Sequence, residues 1–403
     1  MIFKVAWRNI WRSRTRSLVV ISAVVLGIWA IIVITGFSIG MVRTYIHTAI
    51  LNEWSHIQIH RSDYFVDKAL EDTLPNGFAI YQNLKNEFPE ELLSPRLLVQ
   101  GMVSSPKAAR GVTIKAIQPG PENATTELQD HLSQGQYLDV DSRNPMLIGE
   151  DLADKIQVSL NNRVVLTFQS YSGEITAASF RIVGLYKTKD SRYDSQHIFV
   201  RQEDIKKLLG GDGLHEIAIR VPDGTDFQPI MDRIVKEYPG LDVQSYKTLS
   251  PDLELYESTI GLTSTIMTII VMLALIFGII NTMMMAVLER IKELGMLMAI
   301  GMNKQRVFFM ILIETLLLGC IGAPIGMLVG YVTILLTSNT GLDLSAYSAG
   351  MREFGLSDII YPWVPPTIYW QLAIAVVITA LIGSLFPALR AIRLRPVEAI
   401  RTL

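Results

Sequence analysis

The residues of this chain able to do chemistry are few, and most are charges set against apolar runs. His56 and His60, with His47 nearby, form the closest histidine group. In an extended segment the pair stands about 13 Å apart, too far to share one metal ion. No H-E-x-x-H pair occurs. Cys320 is the single cysteine and lies in an apolar run, which excludes a disulfide framework and a cysteine metal site. No G-x-x-x-x-G-K phosphate loop occurs, so these residues supply no ATPase site of their own. The histidines therefore read as structural, and no nucleophile, acid pair or metal cluster stands out. The remaining chemistry is that of charged contacts.

Two places carry such contacts. The first is Glu289–Gly301, ERIKELGMLMAIG, where Val287, Ile291, Leu294 and Met298 share one helical face and Glu289, Lys292 and Glu293 crowd the other. Gly295 costs a helix about 1 kcal/mol relative to Ala and implies a close approach or a bend. Gly301 reads as the stop, and Asn303 can cap the next helix. Spacing alone leaves open a solvated loop at the headgroups or a handle gripped by another protein. The second place is Glu314, an acid deep in an apolar run, which a bilayer tolerates only when it is paired or lines a polar space. Counted inward from the charged loop, Glu314 and Asn281 are each about 12 Å deep. Glu314 is therefore expected to meet Asn281 or Thr282, with a bond to its own helix backbone as the alternative.

The elements that position these residues follow from composition. Hydrophobic residues make up 50% of the 403 and charged ones only 18%, with mean hydropathy +0.32, which marks a membrane protein. The net charge of −2 leaves no basic patch for nucleic acid. Residues 1–17, with Lys4, Arg8, Arg12, Arg14 and Arg16 beside Trp7 and Trp11, predict an amphipathic surface helix. Spans are expected at 18–40, 259–287, 307–336 and 369–387, and the first is too long for a cleaved signal. Basic residues cluster in the N-terminal arm, the 288–306 loop and the 388–403 tail, whereas the 337–368 loop carries Arg352 alone. Both termini are thus expected in the cytoplasm and the large 41–258 domain outside it. Gly322, Gly326 and Gly330 at four-residue spacing predict a close-packing helix face. Within 41–258, β-like runs at 55–60, 97–103, 111–117, 163–169, 176–186, 197–200 and 215–221, with helical patterns at 202–209 and 226–237, predict a mixed α/β domain. Helical extensions of the first two spans are expected near 41–50 and 253–262.

The Glu289–Gly301 stretch resembles the cytoplasmic loop of FtsX/MacB-type ABC permeases, through Glu289, Arg290, Glu293, Leu294, Gly295, Ala299 and Gly301. The N-terminal Arg8, Asn9, Ile10, Arg12 and Arg16 are similar to the family's opening. Pro387, Ala388, Ala391, Pro396, Ala399 and Arg401 resemble its terminal signature. Ile117, Pro119, Gly135, Tyr137, Leu138, Ile148, Gly149, Leu152 and Ala153 resemble the lipoprotein-releasing, LolC/LolE-like branch. The resemblance implies four transmembrane helices with a MacB-like periplasmic core domain, in a bacterial inner membrane. It implies that the Glu289–Gly301 residues form the interface to a cytoplasmic ABC ATPase dimer. ATP and magnesium would bind to that partner, and this chain would hold no cofactor. Implied partners are a second permease copy or a paralogue, membrane lipids, a lipoprotein cargo and a periplasmic chaperone. Lipoprotein release by mechanotransmission is the implied function. MacB-like export and FtsX-like control of a periplasmic partner are the alternatives.

Overall fold

The structure is a computed structural model that describes residues 2–139, 141–222 and 224–393. Among the described residues, four helices are long and apolar enough to cross a membrane: Arg14–Ala49, Pro251–Glu289, Lys304–Thr340 and Pro366–Ile392. Each overruns the stretch that hydropathy marks. Adding a turn to an existing helix costs little, so the hydrophobic run reports only the part suited to lipid. The first helix therefore continues through 41–49, and the second begins at Pro251. A preceding short helix, Ile2–Arg12, buries Ala6 and Ile10 while Phe3, Trp7 and Trp11 stay exposed, an amphipathic surface element.

The chain divides into two compact units. The helical unit holds residues up to 42, 257–343 and from 359 onward; the inserted unit holds 43–256 and 344–358. In the helical unit, Val24, Ile28 and Ile32 of the first helix pack in a core with Leu275, Ala323, Leu372 and Val376. Gly322, Gly326 and Gly330 of the third helix face that first helix. A Cβ on Gly326 would stand 3.0 Å from both Ile28 Cβ and the Val25 carbonyl oxygen, so a larger residue would force the two helices apart.

Ten strands of the inserted unit are β1 (Ile57–Arg61), β2 (Leu92–Ser104), β3 (Ala109–Ile117), β4 (Leu132–Gly135), β5 (Pro145–Gly149), β6 (Arg163–Gln169), β7 (Ile175–Tyr186), β8 (His197–Arg201), β9 (Glu216–Arg220) and β10 (Leu241–Ser245). They run in the order β10-β1-β9-β2-β3-β8-β5-β7-β4, and β6 bridges β2 and β7. That bridge closes β2, β3, β8, β5, β7 and β6 into a ring around Leu97, Ile114, Ile148, Leu166, Phe180 and Val200. The other end, β10-β1-β9-β2, is all antiparallel with helices Gly77–Glu87 and Gln228–Glu237 joining its strands, the order of a split β-α-β unit. The domain is mixed α/β. Three strands lie outside the expected runs: β4, β5 and β10. β5, PMLIG, is buried along its whole length, so it shows no alternation of polar and apolar residues.

Candidate functional site

The second long helix ends at Glu289, Arg290 turns the chain, and a nine-residue helix, Ile291–Ala299, follows. Gly301 then adopts φ +101°, which a side chain resists, and Asn303 caps the third long helix by accepting from the Gln305 N–H at 3.1 Å. The short helix has two unlike faces. Leu294 and Gly295 are buried, and Leu294 packs with Val287, Val307, Met310, Ala388 and Ala391. Lys292, Met296, Ala299 and Ile300 are exposed, Ile300 at 78%. A short helix anchored to the ends of three longer ones thus exposes an apolar and basic face on its other side.

Its charged residues are tied to the N-terminal segment. Arg12 donates to both carboxylate oxygens of Glu293, at 2.6 and 3.3 Å, and Arg16 pairs with Glu289. Arg290 lies beneath. It donates to Glu314 Oε1 at 3.4 Å, and to the Asn9 carbonyl and the Ser13 hydroxyl at 3.2 Å each. The Asn9 amide reaches Glu314 Oε2 at 3.5 Å. A cavity of about 340 Å3 opens beside this cluster, lined by Asn9, Arg12, Arg290, Glu293 and Glu314 among others.

The expected meeting of Glu314 with Asn281 or Thr282 does not occur. Glu314 bonds to Asn9 and Arg290, whereas the Thr282 hydroxyl donates back to Gly278 at 2.7 Å and Asn281 faces a different cavity with Arg16 and Glu289. Equal depth fixed the level but not the direction around the helix. A buried carboxylate is also better held by a guanidinium than by a neutral amide. In the sequence Arg12 and Arg16 read as part of a basic arm, and Asn9 enters only through the resemblance of the N-terminal opening. The chain turns at Ser13 between two helices, so no single helical spacing in the sequence points to the contacts of Asn9 with Glu314, Arg12 with Glu293 and Arg16 with Glu289. Of the terminal signature, Pro387, Ala388 and Ala391 are buried at this site, and Pro396, Ala399 and Arg401 lie outside the described residues.

The inserted unit holds a second charged cluster. Arg96, 1% exposed, donates to Glu122 at 2.8 Å and to Glu216 at 2.6 Å. Burial alone would raise the Glu216 carboxyl, but Arg96, His60 and Lys115 hold it below its ordinary value. His60 shares its ring nitrogens with the His215 carbonyl and Gln58 and stacks on Tyr64, and His56 Nδ1 accepts from the Val221 N–H. Both histidines thus have protein partners. Asp194, fully buried, accepts from the Thr188 N–H and hydroxyl and pairs with Arg352 at 3.0 Å. Burial pushes its carboxyl up to about 7 against the pull of Thr188 and Arg352. Arg352 also reaches Asp151, and Lys189 pairs with Asp358, so the 344–358 segment is pinned by three ion pairs. The branch-matching positions are mostly fold-building. Ile117, Leu138, Ile148 and Leu152 are fully buried, Tyr137 donates to the Pro119 carbonyl, Ala153 is buried beside them, Gly135 takes φ +89°, and a Cβ on Gly149 would strike the Asp194 backbone.

Residues 17–237 match the family described as MacB-like periplasmic core domain, and residues 265–396 match the FtsX-like permease C-terminal family. An uncharacterised ABC transporter permease of Methanocaldococcus jannaschii is 23% identical, over 99% of this chain and 97% of its own. The lipoprotein-releasing system transmembrane protein LolC of Xylella fastidiosa is 24% identical over 75% of each chain. The macrolide export ATP-binding/permease protein MacB of Hahella chejuensis is 24% identical over 99% of this chain, which spans only 59% of that protein's length. The periplasmic region of MacB from Actinobacillus actinomycetemcomitans aligns with 51% of this chain and 94% of its own, at 14% identity and a TM-score of 0.36.

Proposed function

The chain belongs to the family of ABC transporter permeases that join a MacB-like periplasmic core domain to an FtsX-like C-terminal region, and on that premise we propose that it carries ATP-driven motion from a separate cytoplasmic ATPase dimer to the inserted domain. One observation carries this reading. The Ile291–Ala299 helix is packed on one side against the ends of the long helices and exposes Lys292, Met296 and Ile300 on the other. A push on that face passes into the second and third helices directly, and into the N-terminal segment through Arg12–Glu293 and Arg16–Glu289. In this reading the docking face and both termini are cytoplasmic, the inserted domain is periplasmic, and ATP and magnesium bind to the partner. A second permease, identical or paralogous, completes the assembly.

Lipoprotein release is the cargo reading we favour. The LolC relative of Xylella fastidiosa matches 75% of both chains, whereas this chain spans 59% of the MacB relative's length. The test uses the permease with its cognate ATPase in proteoliposomes. Glu293→Lys with Gly295→Trp should insert normally yet abolish ATPase stimulation and lipoprotein release. A double mutant with full stimulation removes the docking reading. A wild-type complex that exports a small molecule or peptide and releases no lipoprotein moves the function to the MacB-like alternative.

A further inference from the structure

A cavity of about 310 Å3 lies wholly within the inserted unit, large enough for a small ligand. Its walls come from the incoming segment 45–54, the start of the helix at Pro251 and the short helix Ser191–Gln196. Residues Ile50–Trp54 form a π-turn where the α-helix ends, a wide turn common at functional positions. That turn carries Asn52, a residue of the cavity wall only 7% exposed, whose Nδ2 is buried with no hydrogen-bond partner. A buried amide left unpaired is unfavourable, so the position calls for an acceptor from outside the chain.

The remaining walls define the rest of that ligand. Among the lining residues Glu53, Asp190 and Asp252 stand with one cation, Arg192, whose side chain is 62% exposed and 3.8 Å from Asp190, while the Lys115 ammonium lies behind the wall on Tyr193. An anion would therefore meet three carboxylates. Tyr45, Trp54 and Tyr193 add aromatic surface, and Tyr193 is held rigid by the Lys115 ammonium at 3.0 Å and by stacking on His197 at 4.2 Å. Carboxylates among aromatic rings suit an organic ammonium. Among the described residues no group of His, Cys, Asp and Glu is placed to hold a metal ion, which leaves the ammonium as the better match for this charge.

We propose that this cavity binds a primary ammonium group with an oxygen acceptor on the neighbouring carbon. That unit is shared by amino-acid amides, amino alcohols and the free amino end of a peptide. The carboxylates and rings take the ammonium, and Asn52 Nδ2 donates to the oxygen. The full chain in lipid nanodiscs, titrated calorimetrically with glycinamide, should show saturable binding of one equivalent. N-acetylglycinamide, which lacks the charge, should bind at least about tenfold more weakly. Parallel titrations with ethanolamine and triglycine distinguish a free small amine from a peptide end. Asn52→Leu should weaken glycinamide about tenfold while melting at or above the wild-type temperature, because it removes an unpaired buried amide. Asp252→Asn, in an exposed first helical turn, should weaken binding without touching the core. Absence of saturable heat with glycinamide, equal binding of the acetylated compound, or full binding by both variants overturns the proposal. None of these readouts involves an ATPase, so they stand apart from the coupling reading.

Discussion

The Arg96 cluster of the inserted unit and the Arg290 cluster of the helical unit each set a guanidinium against carboxylates in a low-dielectric place, at different distances. Arg96 meets Glu122 and Glu216 at 2.8 and 2.6 Å, and its side chain and that of Glu122 are 1% exposed. Arg290 stands 3.2 to 3.4 Å from its three partners, its side chain is 15% exposed, and a cavity adjoins it. Short bonds without solvent fix one arrangement, because breaking any of them strands a charge. Longer bonds beside a cavity leave room for a second arrangement at small cost. Under the proposed coupling, the tight cluster suits a domain carried as a body, and the loose one suits a place where motion would enter.

The largest effect expected from this contrast is at Arg96. Arg96→Met leaves Glu122 and Glu216 buried without their partner, and should cost about 3–5 kcal/mol, read as a large drop in melting temperature. The triple variant Arg96→Met, Glu122→Leu, Glu216→Leu should recover most of the loss, since apolar side chains of similar volume need no partner. If Arg96→Met melts like the wild type, the cluster is not the pin described.

Asp194 gives the next effect, and its sign is set by burial. Its carboxyl titrates near 7 in the folded chain, above the ordinary 3.8, so the folded state holds the proton more tightly. The stabilisation is complete below about pH 4 and is lost as pH rises through about 7, by on the order of 2–4 kcal/mol. Asp194→Asn, which stays neutral, should flatten that slope in melting curves between pH 4 and 8. An unchanged slope would assign the titration to another group.

Alongside its ion pairs the helical unit relies on glycine contacts between its long helices, which predicts opposite outcomes for one kind of substitution. Gly326→Ala sets a Cβ 3.0 Å from the first helix's backbone and should cost about 1–2 kcal/mol. Gly278→Ala, with open space around it, should be neutral or gain up to about 1 kcal/mol from helix propensity. Equal destabilisation by both in detergent unfolding would show that the ridge is not a packing face.

What the sequence disclosed divides along the same line. The four spans, the strands β6 and β7 and the helix Gln202–Leu209 follow from composition and periodicity, because each is long or strongly patterned. β5 and β10 do not, since β5 is buried on both faces and shows no alternation, and β10, LDVQS, has only two apolar residues, Leu241 and Val243. The closure of the ring through β6 depends on pairings between strands far apart in the chain, which no local pattern encodes. At the Glu289–Gly301 site the spacing of Glu289, Glu293 and Leu294 was readable. The partner of Glu314 was not, because Asn9 lies 305 residues away and a guanidinium just past a helix end can fold back to a deeper acid.

The smallest effect on stability is expected at Glu314, and it should carry the largest consequence for coupling. Polar contacts between membrane helices are worth about 0.6–2 kcal/mol, and the 3.4 and 3.5 Å bonds from Arg290 and Asn9 belong at the lower end. Glu314→Gln keeps the shape and a hydrogen-bonding oxygen while removing the charge, so it should shift unfolding by about 1 kcal/mol or less. Arg290→Gln should do the same, and the double variant should lose less than the sum, with a coupling energy of about 0.5–1 kcal/mol. Transport per ATP hydrolysed should nevertheless fall several-fold in each single variant, because Arg290 is the residue at which the second helix, the docking helix and the N-terminal segment meet. If Glu314→Gln instead costs 3–5 kcal/mol, as expected for Arg96, then both clusters are structural pins and the contrast between the units collapses. If it costs little and transport is unchanged, the loose geometry is real but idle, and the docking motion must travel through Arg12–Glu293 and Arg16–Glu289 alone.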